Sequence, residues 1–324
     1  QQHSTSKLSA EQIRDGWLKH IYSETDAPVF KKFPDSPGQV ENFLWVSNER
    51  ARQLMEQGMV PPQTSLPVNN SKSSMIDAQL TTEIFGLLAP GRPDIALQIA
   101  ELPIRTTAYE EAYWVAQFYV VMHSLASAVD PSMTMQQQTQ WLAQQASQQL
   151  PTESSALKIY QFVWAQYQQH PDHWEQTRDA VYQRYQLQSA DGYTYSEPFD
   201  ALINFAASLI SLFYGQGDIV RTIQIGSLVG WDSDNPTATW GGLLGFMLGI
   251  EGVKQAFGLQ QVSTSYWIHR TRRNFPDNTA EQLGEDSFAP MAERDLNTID
   301  LVVTELMLGS LKAADNSWVI PAKN

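Results

Sequence analysis

The sequence predicts an all-α fold: a compact multi-helix domain with long irregular loops. Three observations carry this expectation. Period-two alternation of Val and Ile is nearly absent. From Ile76 onward apolar residues recur at helical spacing almost without interruption. Pro, Gly and Asn breakers cut that pattern into segments of helical length.

Taken in order, Ser9 to Tyr22 reads as a short helix, with Ser9 as N-cap and Ile13, Trp17 and Ile21 on one face. Pro28, Pro34, Pro37 and Gly38 then break the chain, and Asn48 to Gln57 is a second short helix. Pro61-Pro62, Pro67 and Asn69-Asn70 form a loop. Residues 1–75 are therefore an irregular N-terminal segment, and residues 76–324 the helical core. In the core, helices are expected over Ile76–Leu88, Asp94–Leu102 and Glu110–Val129. A glutamine-rich stretch follows, with sixteen Gln between Gln136 and Gln188. Regularly placed Trp, Leu, Phe and Tyr interrupt it, so the glutamines are read as polar helix faces. Glu197–Tyr214, Asp218–Val229, Pro236–Gly249 and Asn297–Leu311 complete the set, with loops at 23–75 and 260–295. Gly241, Gly245 and Gly249 lie four apart, which predicts a smooth helix face closely approached by a neighbour. Glycine in a helix interior costs ~1 kcal/mol relative to Ala and calls for some compensation.

The 324 residues are 42% apolar and 17% charged, a globular composition. The 21 Lys and Arg against 35 Asp and Glu leave a net charge of -14. Nucleic-acid backbones and anionic membrane surfaces are repelled by such a chain. No run reaches the ~18 uninterrupted apolar residues of a membrane span; the closest, Phe199 to Tyr214, carries Asp200 and Asn204. There is no Cys, so thiolate metal sites, disulfides and Cys nucleophiles are excluded. The chain opens on Gln1-Gln2-His3-Ser4 without an initiator Met, so a processed or trimmed product is expected. The compartment, cytoplasmic or exported, stays open.

The segment richest in chemistry is Gly230-Trp231-Asp232-Ser233-Asp234-Asn235-Pro236. Asn235 is expected as N-cap and Pro236 as the first helical residue, which gathers Asp232, Asp234 and Asn235 at a loop-to-helix junction. Two carboxylates close together repel unless a proton or cation lies between them. Hard cations such as Mg²⁺ and Mn²⁺ prefer oxygen donors of this kind. The plainer reading is a capping loop with solvated acids. An EF-hand is excluded, because the turn glycine is missing and Leu243 stands at the closing position.

These residues carry a resemblance. Asn204-Phe205-Ala206, Leu212 through Asp218, Ile223-Gln224-Ile225 and Gly230 through Gly245 resemble the C-terminal core of the ADP-ribosylglycohydrolase superfamily. Dinitrogenase reductase-activating glycohydrolases are members. Ile76-Asp77-Ala78-Gln79-Leu80, Phe85-Gly86-Leu87 and Ala89 through Pro93 resemble an earlier block. The likeness spans about residues 76 to 255. It implies a binuclear Mg²⁺ or Mn²⁺ site that orients ADP-ribose, or an ADP-ribosylated substrate, and a metal-bound water as nucleophile at the anomeric carbon. By carry-over Asp232 and Asp234 are metal ligands, and Asn235 stands where members have a Thr ligand. Trp231, Asn204 and Gln79 are the expected substrate-binding residues, with the Trp231 ring available for stacking. Two departures stand out. The earlier Thr-Asp-Asp-Thr-like block is missing; Thr25-Asp26 is a lone pair. Ala108 and Glu111 replace the His and glycines that relatives often carry within 105–111. From these departures an N-terminal fragment, absent from this chain, is expected to supply the other ligands, so that the chain alone turns over substrate poorly. The rival reading is a non-catalytic structural or ligand-binding member that has lost half of the metal site.

The remaining candidates read as structural. His170 and His173 lie in a polar turn, His123 in an apolar helix, and Glu285-Asp286 in a charged loop. His269 with Arg270, Arg272 and Arg273 reads as surface charge, with pyrophosphate binding as the alternative.

Overall fold

A computed structural model describes residues 3–21, 44–268, 284–312 and 314–322, and it is all-α but for two small hairpins. The N-terminal helix α1 (Ala10–His20) opens with the expected Ser9 cap. The Ser9 hydroxyl accepts from the Gln12 backbone, and the Gln12 side chain accepts from the Ser9 backbone. Next come α2 (Val46–Glu56), α3 (Asp77–Thr82), α4 (Ile84–Leu87), α5 (Pro93–Ile104) and α6 (Glu111–Leu125). The glutamine-rich part forms α7 (Met135–Ser147), α8 (Ser155–Gln169), α9 (Trp174–Val181) and a π-helical turn over Tyr182–Leu187. Then follow α10 (Ala201–Gly215), α11 (Ile219–Leu228) and α12 (Asp234–Phe257). Strands β1 (Ser265–Ile268) and β2 (Gly284–Ser287) pair antiparallel, ahead of α13 (Phe288–Glu305). A second hairpin, β3 (Ser310–Lys312) with β4 (Ser317–Val319), ends the description.

Helix α10 is the axis. All fifteen of its residues are buried, as an all-round apolar helix requires. It packs against α6, α7, α8, α9, α11 and α12. The aromatic centre of this core includes Phe118 against Phe205 at 4.9 Å and Trp164 against Phe213 at 4.9 Å, both edge-to-face. A second core joins α3, α5, α6 and α13, including Ile99, Ala108, Val120, Val302 and Val303. Glu305 ties α13 back to the N-terminus by accepting from the Ser6 backbone.

Several expectations are corrected. The last long helix spans Phe288–Glu305, nine residues earlier at its start than predicted, and strands stand inside the predicted 260–295 loop. Among the described residues no helix is long and apolar enough to cross a membrane. The four-residue glycine spacing does not mark a close approach. A Cβ on Gly241 or Gly245 would meet only side-chain tips at 3.7 and 3.9 Å, and one on Gly249 would meet nothing within 4 Å. Gly249 instead breaks the helical run, at φ 66° and ψ 172°. Tight contacts lie at other glycines, Gly86 among them. At Gly86 a Cβ would fall 2.3 Å from the Val120 carbonyl oxygen and 2.8 Å from the Ser124 nitrogen. There α4 lies directly on the α6 backbone, which cannot yield as a side chain would.

Gly86→Ala is therefore expected to destabilise the protein by about 1–3 kcal/mol through overpacking. Gly242→Ala, at a helical position with open space around it, should stabilise by up to ~1 kcal/mol. Urea denaturation of both variants checks the contrast.

Candidate functional site

The acidic loop joins α11 to α12 and is gripped from several sides. Gly230 and Trp231 take left-handed backbone, with φ 101° and 52°. Glycine does so freely, but an aromatic residue rarely does. The indole N–H of Trp231 donates to Gln186 Oε1 at 2.8 Å, so the π-helical turn holds this residue in place. The Asp232 backbone N–H donates to Asn204 Oδ1 at 3.0 Å, reaching a fully buried side chain of α10. From α3, Gln79 Nε2 donates to Asn235 Oδ1 at 3.0 Å. One turn further along α12, Thr239 Oγ1 donates to Glu83 Oε1 at 2.5 Å. The loop thus rests on the α3–α4 junction, α10 and the π-turn together.

Helix α12 begins at Asp234, with Ser233 in the cap position and no side-chain cap bond. This corrects the expected cap at Asn235. The Asn235 amide is buried and engaged by Gln79, so it does not fold back onto its own helix. Pro236 still falls in the first turn, where its missing N–H has no intrahelical partner to lose.

Carboxyl groups dominate the electrostatics. Burial, then the hydrogen-bonded Asp234 carboxyl and the charges of Asp234 and Asp77, push Asp232 up to about 7. Burial likewise raises Asp77 above the usual carboxylate range, against the pull of the backbone at the start of α2. Asp77 Oδ1 accepts from the Asn48 backbone at 3.3 Å, so Asp77 caps α2 from a distance, while Oδ2 has no hydrogen-bond partner. Burial pushes Glu83 up to about 7, opposed by the Thr239 hydroxyl. His123 Nδ1 lies 2.8 Å from the Tyr119 carbonyl, which can only accept, so this nitrogen carries the proton. His123 Nε2 is then a bare acceptor 3.9 Å from Glu83 Oε2, and burial lowers the imidazole to about 4. A neutral imidazole facing a proton-retaining carboxyl is the consistent state.

The residues singled out in the sequence fall as follows. Asp232, Asp234 and Asn235 come together with Asn204, Gln79 and Trp231 around one loop. Asn204 and Gln79, at 0% and 1% exposure, lie behind the loop and bond to it. Trp231 is half-buried against the α10 core. His123 is a core residue, while His170 and His173 are exposed in a surface turn between α8 and α9. Ala108 is fully buried in the second core, and Glu111 caps α8 by accepting from the Ser155 and Ala156 backbones at 2.8 and 3.0 Å. The Thr25-Asp26 pair, the His269–Arg273 cluster and the side chains of Glu285 and Asp286 lie outside the described residues. Sequence reasoning did not assign Asp77, Glu83, Thr239 or Gln186. Only Asp77 carried a signal, its place beside Gln79 in the Ile76–Leu80 block.

Donor chemistry fits one cation at the loop: two facing carboxylates and an amide oxygen that keeps a second lone pair. Among the described residues no group of three or more His, Asp and Glu side chains is arranged to hold a metal ion. The donors gathered here are therefore fewer than a binuclear site needs. A cleft of about 810 Å³ lined by Arg92, Leu97, Gln149, Trp318 and Ile320 takes no residue from the loop. Its Arg92 guanidinium is spent on Asp94 and the Pro321 carbonyl.

Glu83 binds its proton more tightly in the folded chain than in the unfolded one. The native state therefore holds more protons between pH 4.5 and about 7, and stability falls as pH rises through that window. Glu83→Gln keeps the Thr239 contact and removes the titration. The variant is expected to match the parent near pH 4.5 and to gain on it by roughly 3 kcal/mol above pH 7, read from denaturation midpoints across pH.

The geometry can be set beside known proteins. No curated protein and no solved structure matches the chain. A family model described as ADP-ribosylglycohydrolase matches residues 4–290, a range that takes in the N-terminal helices as well as the acidic loop. With nearly all of its length inside that match, and with the helical architecture expected of it, the chain belongs to the ADP-ribosylglycohydrolase family.

Proposed function

We propose that this protein hydrolyses a glycosidic N- or O-bond to an ADP-ribosyl or related ribosyl group. Its Asp232–Asp234 loop would be the seat of a divalent cation, Mg²⁺ or Mn²⁺. The observation that carries the reading is the pair of facing carboxylates in one turn, close enough to share a hydrogen bond and held from α3, α10 and the π-turn. Asp232 and Asp234 would hold the cation, with the Asn235 amide oxygen as a neutral third donor. When bound, a divalent cation supplies Lewis-acid polarisation and a water acidified enough to attack near neutral pH.

The chain's own residues supply orientation. Asn204 fixes the Asp232 backbone, Gln79 turns Asn235, and Gln186 sets the Trp231 ring at the loop's edge, where it offers a face for a ribose or adenine. Family membership supports glycoside hydrolysis in general, and the loop geometry supports the metal.

The rival, a binding member without catalysis, draws on the sparse ligand count among the described residues. Two measurements separate the readings. Calorimetric titration with Mn²⁺ should show binding that falls at least tenfold in Asp232→Asn and in Asp234→Asn, with helix content unchanged by circular dichroism. Equal affinity in parent and variants would remove the metal assignment. Release of ADP-ribose from an ADP-ribosylated peptide or small molecule, lost in the same variants, distinguishes the enzyme from the binding protein.

A further inference from the structure

Four buried polar atoms without a hydrogen-bond partner belong to residues that meet at one place in the core: Gln79 Oε1, Tyr119 OH, Ser208 Oγ and Asn235 Nδ2. They come from four different helices, α3, α6, α10 and α12. The Gln79–Asn235 bond fixes two of them relative to one another. The Tyr119 hydroxyl faces both Ser208 and Gln79 without completing a bond to either. Trp240 closes the same region, with its ring 5.4 Å from that of Tyr119 and its indole N–H on the Ser208 carbonyl at 2.8 Å. Native cores leave few such groups unpaired, and four on neighbouring side chains call for a common partner. Amide orientation does not remove the need. Exchanging N and O in both Gln79 and Asn235 again leaves one donor and one acceptor unpaired.

We propose that these four atoms form a binding site for one internal water molecule, which pins Asn235 and the start of α12 to the core. The inventory matches a water and little else. Gln79 Oε1 only accepts, Asn235 Nδ2 only donates, and the two hydroxyls do either. A water donating to Gln79 and one hydroxyl, and accepting from Asn235 and the other, satisfies all four, within the usual two to four bonds of buried waters. A cation is opposed by the Asn235 N–H and an anion by the Gln79 oxygen. The site does not depend on the glycohydrolase reading.

A crystal structure at a resolution that shows ordered solvent tests it directly. Expected is a water within hydrogen-bonding distance of at least three of the four atoms. Density that places the Tyr119 hydroxyl directly on Ser208 or Gln79, with no water, overturns the proposal. Tyr119→Phe and Ser208→Ala provide a second test by urea denaturation. Each should lower the folding equilibrium constant several-fold. The double variant should fall short of the product by roughly fivefold, because the first change already loses the shared water. Effects that multiply fully overturn the proposal, and if Tyr119→Phe does not fold, the solvent density of the parent decides.

Discussion

The buried amide of Asn204 connects the packing of the core to the geometry of the acidic loop. Its Nδ2 donates to the carbonyls of Pro198 and Asp200 at 2.8 and 2.9 Å, and its Oδ1 accepts from Asp232 at 3.0 Å. Both N–H groups and one acceptor position are thereby used, which is what makes a polar side chain tolerable at 0% exposure. Because α10 is buried on every side, it cannot rotate or slide without disturbing both its own packing and these bonds. The Asp232 backbone inherits that fixity. A loop that begins on left-handed residues and carries two like charges would otherwise have many conformations to choose from.

What the packing holds in place is an electrostatic conflict. Asp77, Asp232 and Glu83 are all raised by burial, and Asp234 adds charge and a hydrogen bond to Asp232. The imidazole beside Glu83, His123, is kept neutral by burial, against the pull of its bond to the Tyr119 carbonyl, so it offers no compensating charge. A structural role alone would favour apolar residues or a paired cation at such positions. Carboxyls kept close, desolvated and short of counter-charge are the pattern of groups retained for what they bind or transfer. The overall charge of -14 works in the same direction, drawing cations toward the surface.

The legible part of this chemistry was local. Asp232 and Asp234 lie in one turn, the Ser9 cap is written in four residues, and the long apolar runs of α6 and α10 show their helical nature without help. The supports of the loop were not local. Gln79 and Asn235 are 156 positions apart, as are Glu83 and Thr239. Neither pair has a spacing that a linear reading can use. The glycines show the same limit from the other side. Gly241, Gly245 and Gly249 had the regular period, but only tertiary contact decides whether a glycine is pressed, and it is glycines without that period, Gly86 and Gly217 among them, that meet another backbone. Asn235 looked like a cap because Asn before Pro usually is one. A partner from a distant helix outcompeted that local preference.

The segment expected to depart from the family's pattern, residues 105–111, is part of the scaffold. Ala108 is sealed in the core shared by α3, α5, α6 and α13, and Glu111 spends both carboxylate oxygens on the exposed N–H groups that open α8. A His or Gly at those positions would neither fill that space in the same way nor cap that helix. Both residues therefore serve the stability of the helical frame. The acidic loop differs, since Asp232 gains nothing for the fold from its raised carboxyl. The proposed function is built from the loop and the residues that grip it, Gln79, Asn204 and Gln186. A substrate held there would be recognised through the loop's acids and the Trp231 face, while the rigidity of α10 determines how precisely they are presented.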